Sequence, residues 1–316
     1  MREPSSRTSI ITGCQGETPL NWELLFQLLL NGLIVGTLYG VVAMCFVLIY
    51  KSTQVVNFAQ GEFLLIGAWV CWSLLIHLQL PFILGFLFTL VFMMAFGILL
   101  QVVVLRPMIG EPIISVIMVT IGLSIFMRAL VNWVFGQSAE AFPPIFETNV
   151  VSILGLNVQT AYLMSFGVSI LIMVGFYYFF RFSRYGLAMR ATAFNQQVAQ
   201  SLGISVKRVF ALAWAISAMV SALAGVVMGM VNGVSSALSF IGIKVFPAVI
   251  LGGLDSIVGA VAGGLIIGLL ENGAEFVDGQ FLHWGNMLTV VPFWVLILIL
   301  VIKPYGLFGT KTIERV

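Results

Sequence analysis

Apolar runs long enough to cross a bilayer recur along this chain, near residues 24–49, 62–80, 82–105, 113–135, 161–180, 209–231, 256–271 and 288–303. A membrane helix needs about 17–25 such residues, because in hydrocarbon every backbone amide must be satisfied within its own segment. Charge content agrees: only 8% of the 316 residues are Asp, Glu, Lys or Arg, where a soluble domain carries about 25%. A mean hydropathy of +1.11 and 32 glycines point to a helical bundle in which small residues let backbones approach closely. The expected fold class is an all-α polytopic membrane protein of about eight transmembrane helices, with broken or re-entrant segments between them. A net charge of +2 does not imply nucleic acid.

The few charges sort by position. Residues 181–208 hold Arg181, Arg184, Arg190, Lys207 and Arg208, and no Asp or Glu occurs from 148 to 254. By the positive-inside rule that loop is cytoplasmic, as are the short loop at Arg106 and the tail with Lys303, Lys311 and Arg315. Loops 136–160 and 272–287 contain no Lys or Arg and carry Glu140, Glu147, Glu275 and Asp278, so they read as external. Eight plain crossings cannot satisfy both cytoplasmic assignments. An extra crossing is expected between Ser236 and Gly253, a stretch bearing Lys244 and Pro247 that reads as a broken helix. Residues 1–23 form a polar extension of mixed charge. The run behind them exceeds a signal-peptide core and lacks a small-residue cleavage site, so 24–49 is read as a retained span. The membrane domain is then 24–310, and 311–316 is a cytoplasmic tail.

Two polar interruptions stand out. One runs from Lys51 through Asn57 and Gln60 to Gly61-Glu62; the other is Leu251-Gly252-Gly253-Leu254-Asp255. Irregular backbone at membrane depth is tolerated only where protein buries it or it lines a wet cavity, and paired interruptions in two halves of a transporter point to its pathway. Asn57, Gln60, Glu62, Gly252, Gly253 and Asp255 are therefore the candidate pathway and gating residues. Arg128, near the outer end of its span and close to Trp133, reads as a side chain snorkelling to the interface. Cys14, Cys45 and Cys71 form no CxxC pair. No catalytic set can be assembled: neither His77 nor His283 belongs to a zinc-binding HExxH, no serine elbow is present, and no phosphate-binding GxxxxGK[ST] occurs. On these grounds neither an intramembrane enzyme nor a metal site is expected, and any ATP chemistry must come from a partner.

Within the basic loop, Leu187, Ala191, Phe194, Val198 and Leu202 recur at helical spacing, and Gly203 supplies a C-terminal stop. The spacing predicts one amphipathic helix over 184–204, with Gly186, Arg190, Asn195 and Ala199 on its flanks. Such a helix either lies on anionic lipid or docks its apolar stripe into a partner's groove.

Three passages together resemble the permeases of ABC importers for branched-chain amino acids: Gly36-Thr37-Leu38-Tyr39-Gly40 through Ile49-Tyr50 to Val56-Asn57-Phe58-Ala59-Gln60-Gly61-Glu62-Phe63; Arg184-Tyr185-Gly186 through Leu202-Gly203-Ile204; and Leu251-Gly252-Gly253-Leu254-Asp255 through Gly259-Ala260 to Gly263-Gly264. The resemblance covers about residues 26–310 and implies a type II, vitamin-B12-importer-like permease in a bacterial inner membrane. It implies as partners a second, non-identical permease, two cytoplasmic ATPases that bind ATP-Mg, and an extracytoplasmic substrate-binding protein, with no cofactor on this chain itself. It makes 184–204 a coupling helix. Gln60 stands where the family frequently has His, and Asp255 where it has a small residue. Relatives of this architecture also import urea, short amides and small organic acids, and an ATP-independent secondary transporter is the other alternative.

Overall fold

A computed structural model describes residues 22–143, 150–153 and 156–309. The extension up to residue 21 with Cys14, Glu147 and the tail from 310 lie outside the described residues. Eleven α-helices are present among those described: α1 Trp22–Thr53, α2 Gln60–Ile76, α3 Phe82–Leu100, α4 Ile113–Phe135, α5 Thr160–Phe182, α6 Arg184–Phe194, α7 Gln196–Ser201, α8 Val206–Asn232, α9 Ala237–Gly252, α10 Ile257–Val277 and α11 Met287–Ile302. Helix α3 continues with altered pitch to Met108, and α10 to Leu282. Glu275 and Asp278 therefore sit on helical turns and not in an open loop. The 136–160 loop, read from sequence as plain connection, carries a two-stranded antiparallel hairpin, β1 Val150–Ile153 with β2 Leu156–Gln159.

Among the described residues six helices are long and apolar enough to cross a membrane, and α2, α9 and α11 are shorter apolar ones. The chain is a multi-pass membrane protein. Helix α9, 16 residues long, lies in the stretch where the additional crossing is expected. It is one unbroken helix through Pro247, where a break was expected; Pro removes only one amide bond, and α9 is packed between α2 and α10.

Two ends of the bundle are defined by contacts. Glu140 and Val234 exchange backbone hydrogen bonds of 2.9 and 2.8 Å, and Trp72 Nε1 donates to the Ala141 carbonyl at 3.1 Å, which places the start of the acidic 136–160 loop against the C-terminal ends of α2 and α8; this is the acidic end. Lys51 Nζ donates to the Asp255 carbonyl at 3.0 Å, and Arg190, Pro304 and Tyr305 lie around the same cavity. That is the basic end.

Helix α1 is the central pillar. Of its most apolar 18 residues 89% are buried, against 17% in α4; Phe126, Ile125 and Ile114 of α4 face outward, as expected of surface turned to lipid. Helix α10 runs antiparallel along α1 on a seam of small residues. Gly32, Gly36 and Gly40 face Gly264 and Gly268, and a Cβ placed on Gly32 would stand 2.7 Å from the Gly268 carbonyl oxygen. In lipid, association relies on such close backbone packing because burial from water contributes nothing. The same device joins Gly61 to Gly242 (α2 to α9), Gly67 to Ala222 (α2 to α8) and Gly252 to Gly259 (α9 to α10).

Helix α1 runs unbroken from Trp22 to Thr53, a length of about 48 Å. The interruption is confined to 54–59, opened by Gln54 at φ +60°.

Candidate functional site

Helix α2 does not start at the basic end. Its first residue, Gln60, faces Ser217 and Ser221 of α8, and Ser217 lies about 17 Å along that helix from Val206. The six residues 54–59 cover this return, since extended backbone spans roughly 3.3 Å per residue. A polar knot holds the turn. Gln60 is fully buried; its Nε2 donates to Ser217 Oγ at 3.0 Å and also to Ser221 Oγ. Asn57 Nδ2 donates to Gln60 Oε1 at 3.3 Å, and Asn57 Oδ1 accepts from the Ala59 amide at 3.0 Å. Ser217 Oγ reaches the Cys45 carbonyl of α1 at 3.3 Å. A satisfied buried network of this kind fixes one arrangement of the helices it joins. Gln60→Ala strips the knot of its centre and should lower stability by about 1–3 kcal/mol, read as a lower unfolding midpoint in detergent. An unchanged midpoint would mean the knot does not hold α2.

Glu62 is 1% exposed. Its Oε1 accepts from Arg128 Nη2 at 2.7 Å, Arg128 Nε at 3.1 Å and Ser124 Oγ at 3.1 Å, while the guanidinium lies over the Phe240 ring at 4.7 Å. The expectation that Arg128 snorkels outward is therefore corrected. The Phe135 end of α4 is only about 10 Å away, but an inward turn supplies a charge-assisted contact to a carboxylate that would otherwise be buried alone. Glu62 Oε2 has no hydrogen-bond partner among the described residues.

A second ion pair escaped the sequence reading. Lys244 Nζ of α9 lies 4.0 Å from Glu271 Oε1 of α10, and Tyr39 of α1 donates its hydroxyl to Glu271 Oε2 at 2.9 Å. Glu271 closes an apolar run and so passed as a span boundary. A usable signal was present: Glu62, Arg128, Lys244 and Glu271 are two anions and two cations inside apolar sequence, and intramembrane charges pair.

The second interruption lies elsewhere. Gly252 packs against the Gly259 backbone, Gly253 turns the chain at φ +102°, and residues 305–309 fold back on them. Leu307 N donates to Leu251 O at 2.8 Å and Phe308 N to Gly252 O at 3.2 Å. Asn57, Gln60 and Glu62 are thus gathered deep in the bundle, whereas Gly252, Gly253 and Asp255 form part of the basic end. The two groups do not meet. Asp255 instead shares a cavity of about 840 Å³ with Lys51, Arg190, Phe194 and Asn195.

The helix expected over 184–204 is two helices. Asn195 adopts φ −158°, ending α6, and its Oδ1 accepts from the amides of Gln197 and Val198 to begin α7. Asn is well suited to this because its short side chain competes for backbone donors. Ser183 Oγ caps α6 through the Gly186 amide at 2.8 Å. Gly203, at φ +83°, closes α7 with the Ile204 amide donating to Ala199 O at 3.0 Å, a left-handed stop. Gly186, Met189, Thr192 and Ala199 face inward, and Arg190 donates to the Phe180 carbonyl. Leu187, Phe194, Val198 and Leu202 point away from the protein, Phe194 at 94% exposure; Ala191 is half-buried between the two faces.

The profile of the family described as branched-chain amino acid transport system / permease component matches residues 28–300. Three relatives cover 92% of the chain. The high-affinity branched-chain amino acid transport system permease protein BraD of Pseudomonas aeruginosa is 32% identical, with 97% of its own length covered. The corresponding permease protein LivH of Escherichia coli is also 32% identical, over 97% of its length. A probable branched-chain amino acid transport permease protein LivH of Methanocaldococcus jannaschii is 27% identical, over 95% of its length.

Proposed function

This chain belongs to the branched-chain amino acid transport permease family, and from that premise we propose that it imports branched-chain amino acids as one membrane subunit of an ATP-driven transporter. The observation that carries the reading is the uncovered stripe of Leu187, Phe194, Val198 and Leu202 at the basic end. Exposed apolar residues on a short helix pair, braced from behind by Gly186, Met189 and Ala199, suit a cleft on a soluble partner. The basic end is taken as cytoplasmic, which puts the stripe and the chain's C-terminal segment on the side where ATP is available.

In this scheme two ATPase subunits close on ATP and move α6 and α7 as a lever. Arg190 on Phe180, and the contacts of Lys51 with Asp255, pass that movement to α5, α1 and the α9–α10 turn. A second, related permease completes the pathway, and a substrate-binding protein delivers cargo at the acidic end. Switching between outward and inward access then follows from rigid-body movement of packed helices. Substrate arrives already selected, so the lining needs few charges.

Phe194→Asp and Val198→Asp should each abolish uptake of labelled leucine by membranes carrying the full set of partners, and reduce ATPase co-purification at least tenfold, with the chain inserted at normal level. Normal uptake with either variant, or uptake that persists when the ATPases are deleted, would overturn the reading.

A further inference from the structure

We propose that a cavity within this single chain, walled by α1, α5, α8 and α9, is a subsite for a zwitterionic aliphatic amino acid, with the Lys244 ammonium binding the substrate carboxylate. The inference rests on the transport reading above and adds to it a place and a specificity residue. The cavity measures about 370 Å³, inside the ~300–1,000 Å³ range of small-ligand pockets. Its walls combine an aliphatic part, including Leu38, Val231 and Ile241, with a polar part formed by Lys244, Tyr162 and Asn232. That division matches an amino acid, which has an apolar side chain at one end and two opposite charges at the other.

Lys244 is built for the role. Its side chain is 25% exposed and lines the cavity, whereas Glu271 is 2% exposed and lies outside the lining. At 4.0 Å the two charges attract without a hydrogen bond, and Glu271 Oε1 has no hydrogen-bond partner among the described residues. The ammonium therefore keeps donors for an incoming carboxylate. Tyr39 anchors Glu271 through its other oxygen at 2.9 Å, making Glu271 and Tyr39 positioning residues for Lys244. Tyr162 and Asn232 supply oxygen acceptors for the substrate ammonium. Phe240, on the wall beside them, is held from outside by Arg128 at 4.7 Å, which connects the subsite to the Glu62 ion pair at the head of α2.

The test uses the full chain with its copurifying partner subunits in lipid nanodiscs and a diazirine analogue of leucine that keeps both α-groups. Labelling is expected on α8 and α9 peptides, with leucine competing at least tenfold better than leucinamide, which lacks the carboxylate. Lys244→Gln should cut labelling at least tenfold and erase the preference over leucinamide, and Lys244→Arg should retain both. Because Lys244→Gln strands Glu271, the double variant Lys244→Gln/Glu271→Gln provides a folded neutral pair with the same expected loss. Ile241→Phe should reduce labelling by filling the cavity. Equal labelling of wild type and both Lys244→Gln variants, labelling confined to other helices, or competition by leucinamide as strong as by leucine would each overturn the subsite. If those results coincide with normal partner-dependent leucine uptake, the subsite alone fails. Absence of leucine uptake by the wild-type complex removes the transport reading with it.

Discussion

Gly268→Leu should leave no folded protein in the membrane, while Gly273→Leu, five residues further along the same helix, should be accumulated and purified normally. A Cβ on Gly268 falls on the Gly36 backbone and the Gly32 carbonyl, whereas one on Gly273 meets nothing within 4 Å. Ordinary overpacking costs about 1–3 kcal/mol because neighbouring side chains can shift. At Gly268 the obstacle is backbone on the central helix, so α1 and α10 must separate along the seam from Gly32 to Gly40, and every contact that depends on their close approach is lost. The measurement is monodisperse yield in detergent for the two variants side by side. Equal yields would mean that the α1–α10 seam does not hold the bundle together. Leu favours helix over Gly by up to about 1 kcal/mol, so any difference in intrinsic propensity works against the expected loss and cannot cause it.

Arg128→Met should destabilise the protein by about 3–5 kcal/mol, the cost of leaving a buried carboxylate uncompensated. Glu62 is 1% exposed and receives three hydrogen bonds on one oxygen, two of them from Arg128. Adding Glu62→Gln to Arg128→Met should recover most of the loss, because a neutral amide in the same place carries far less desolvation cost and Ser124 still donates to it. The unfolding midpoints of the two single variants and the double variant form a cycle whose coupling term isolates the pair. A double variant as unstable as Arg128→Met alone would assign the loss to packing of the long side chain over Phe240 and not to the charge. The same proteins, assayed for uptake, separate stability from transport, since Glu62 sits at the first turn of the helix that begins mid-bundle.

How legible the fold was depended on the range of the force involved. The positions of α3, α4, α5, α8 and α11 could be read from apolar runs because a helix in hydrocarbon satisfies its own backbone and declares itself by length and composition. Charge bookkeeping across the loops pointed to a further element between Ser236 and Gly253, the stretch in which α9 lies. Asn195, by contrast, divides α6 from α7 through a local cap that spacing cannot display: Leu187, Phe194, Val198 and Leu202 keep their periodicity across the bend. Arg128 misled because snorkelling is a property of one side chain and its depth, whereas its actual partner lies 66 positions away in sequence. The Lys244–Glu271–Tyr39 cluster was hidden for the same reason, being drawn from three helices.

Sequence by itself determined that this chain is a polytopic helical membrane protein, which end of it is basic, and which family motifs it carries, since all of these follow from composition and local pattern. Tertiary structure alone decided which charges neutralise which, that the two glycine-punctuated interruptions lie at different depths, and that a cavity with one reachable ammonium opens between α1, α5, α8 and α9. The physical reason is that scarce charges in a low-dielectric bundle must find partners through space, and the small-residue seams that bring those partners together are set by how helices approach, not by their order along the chain.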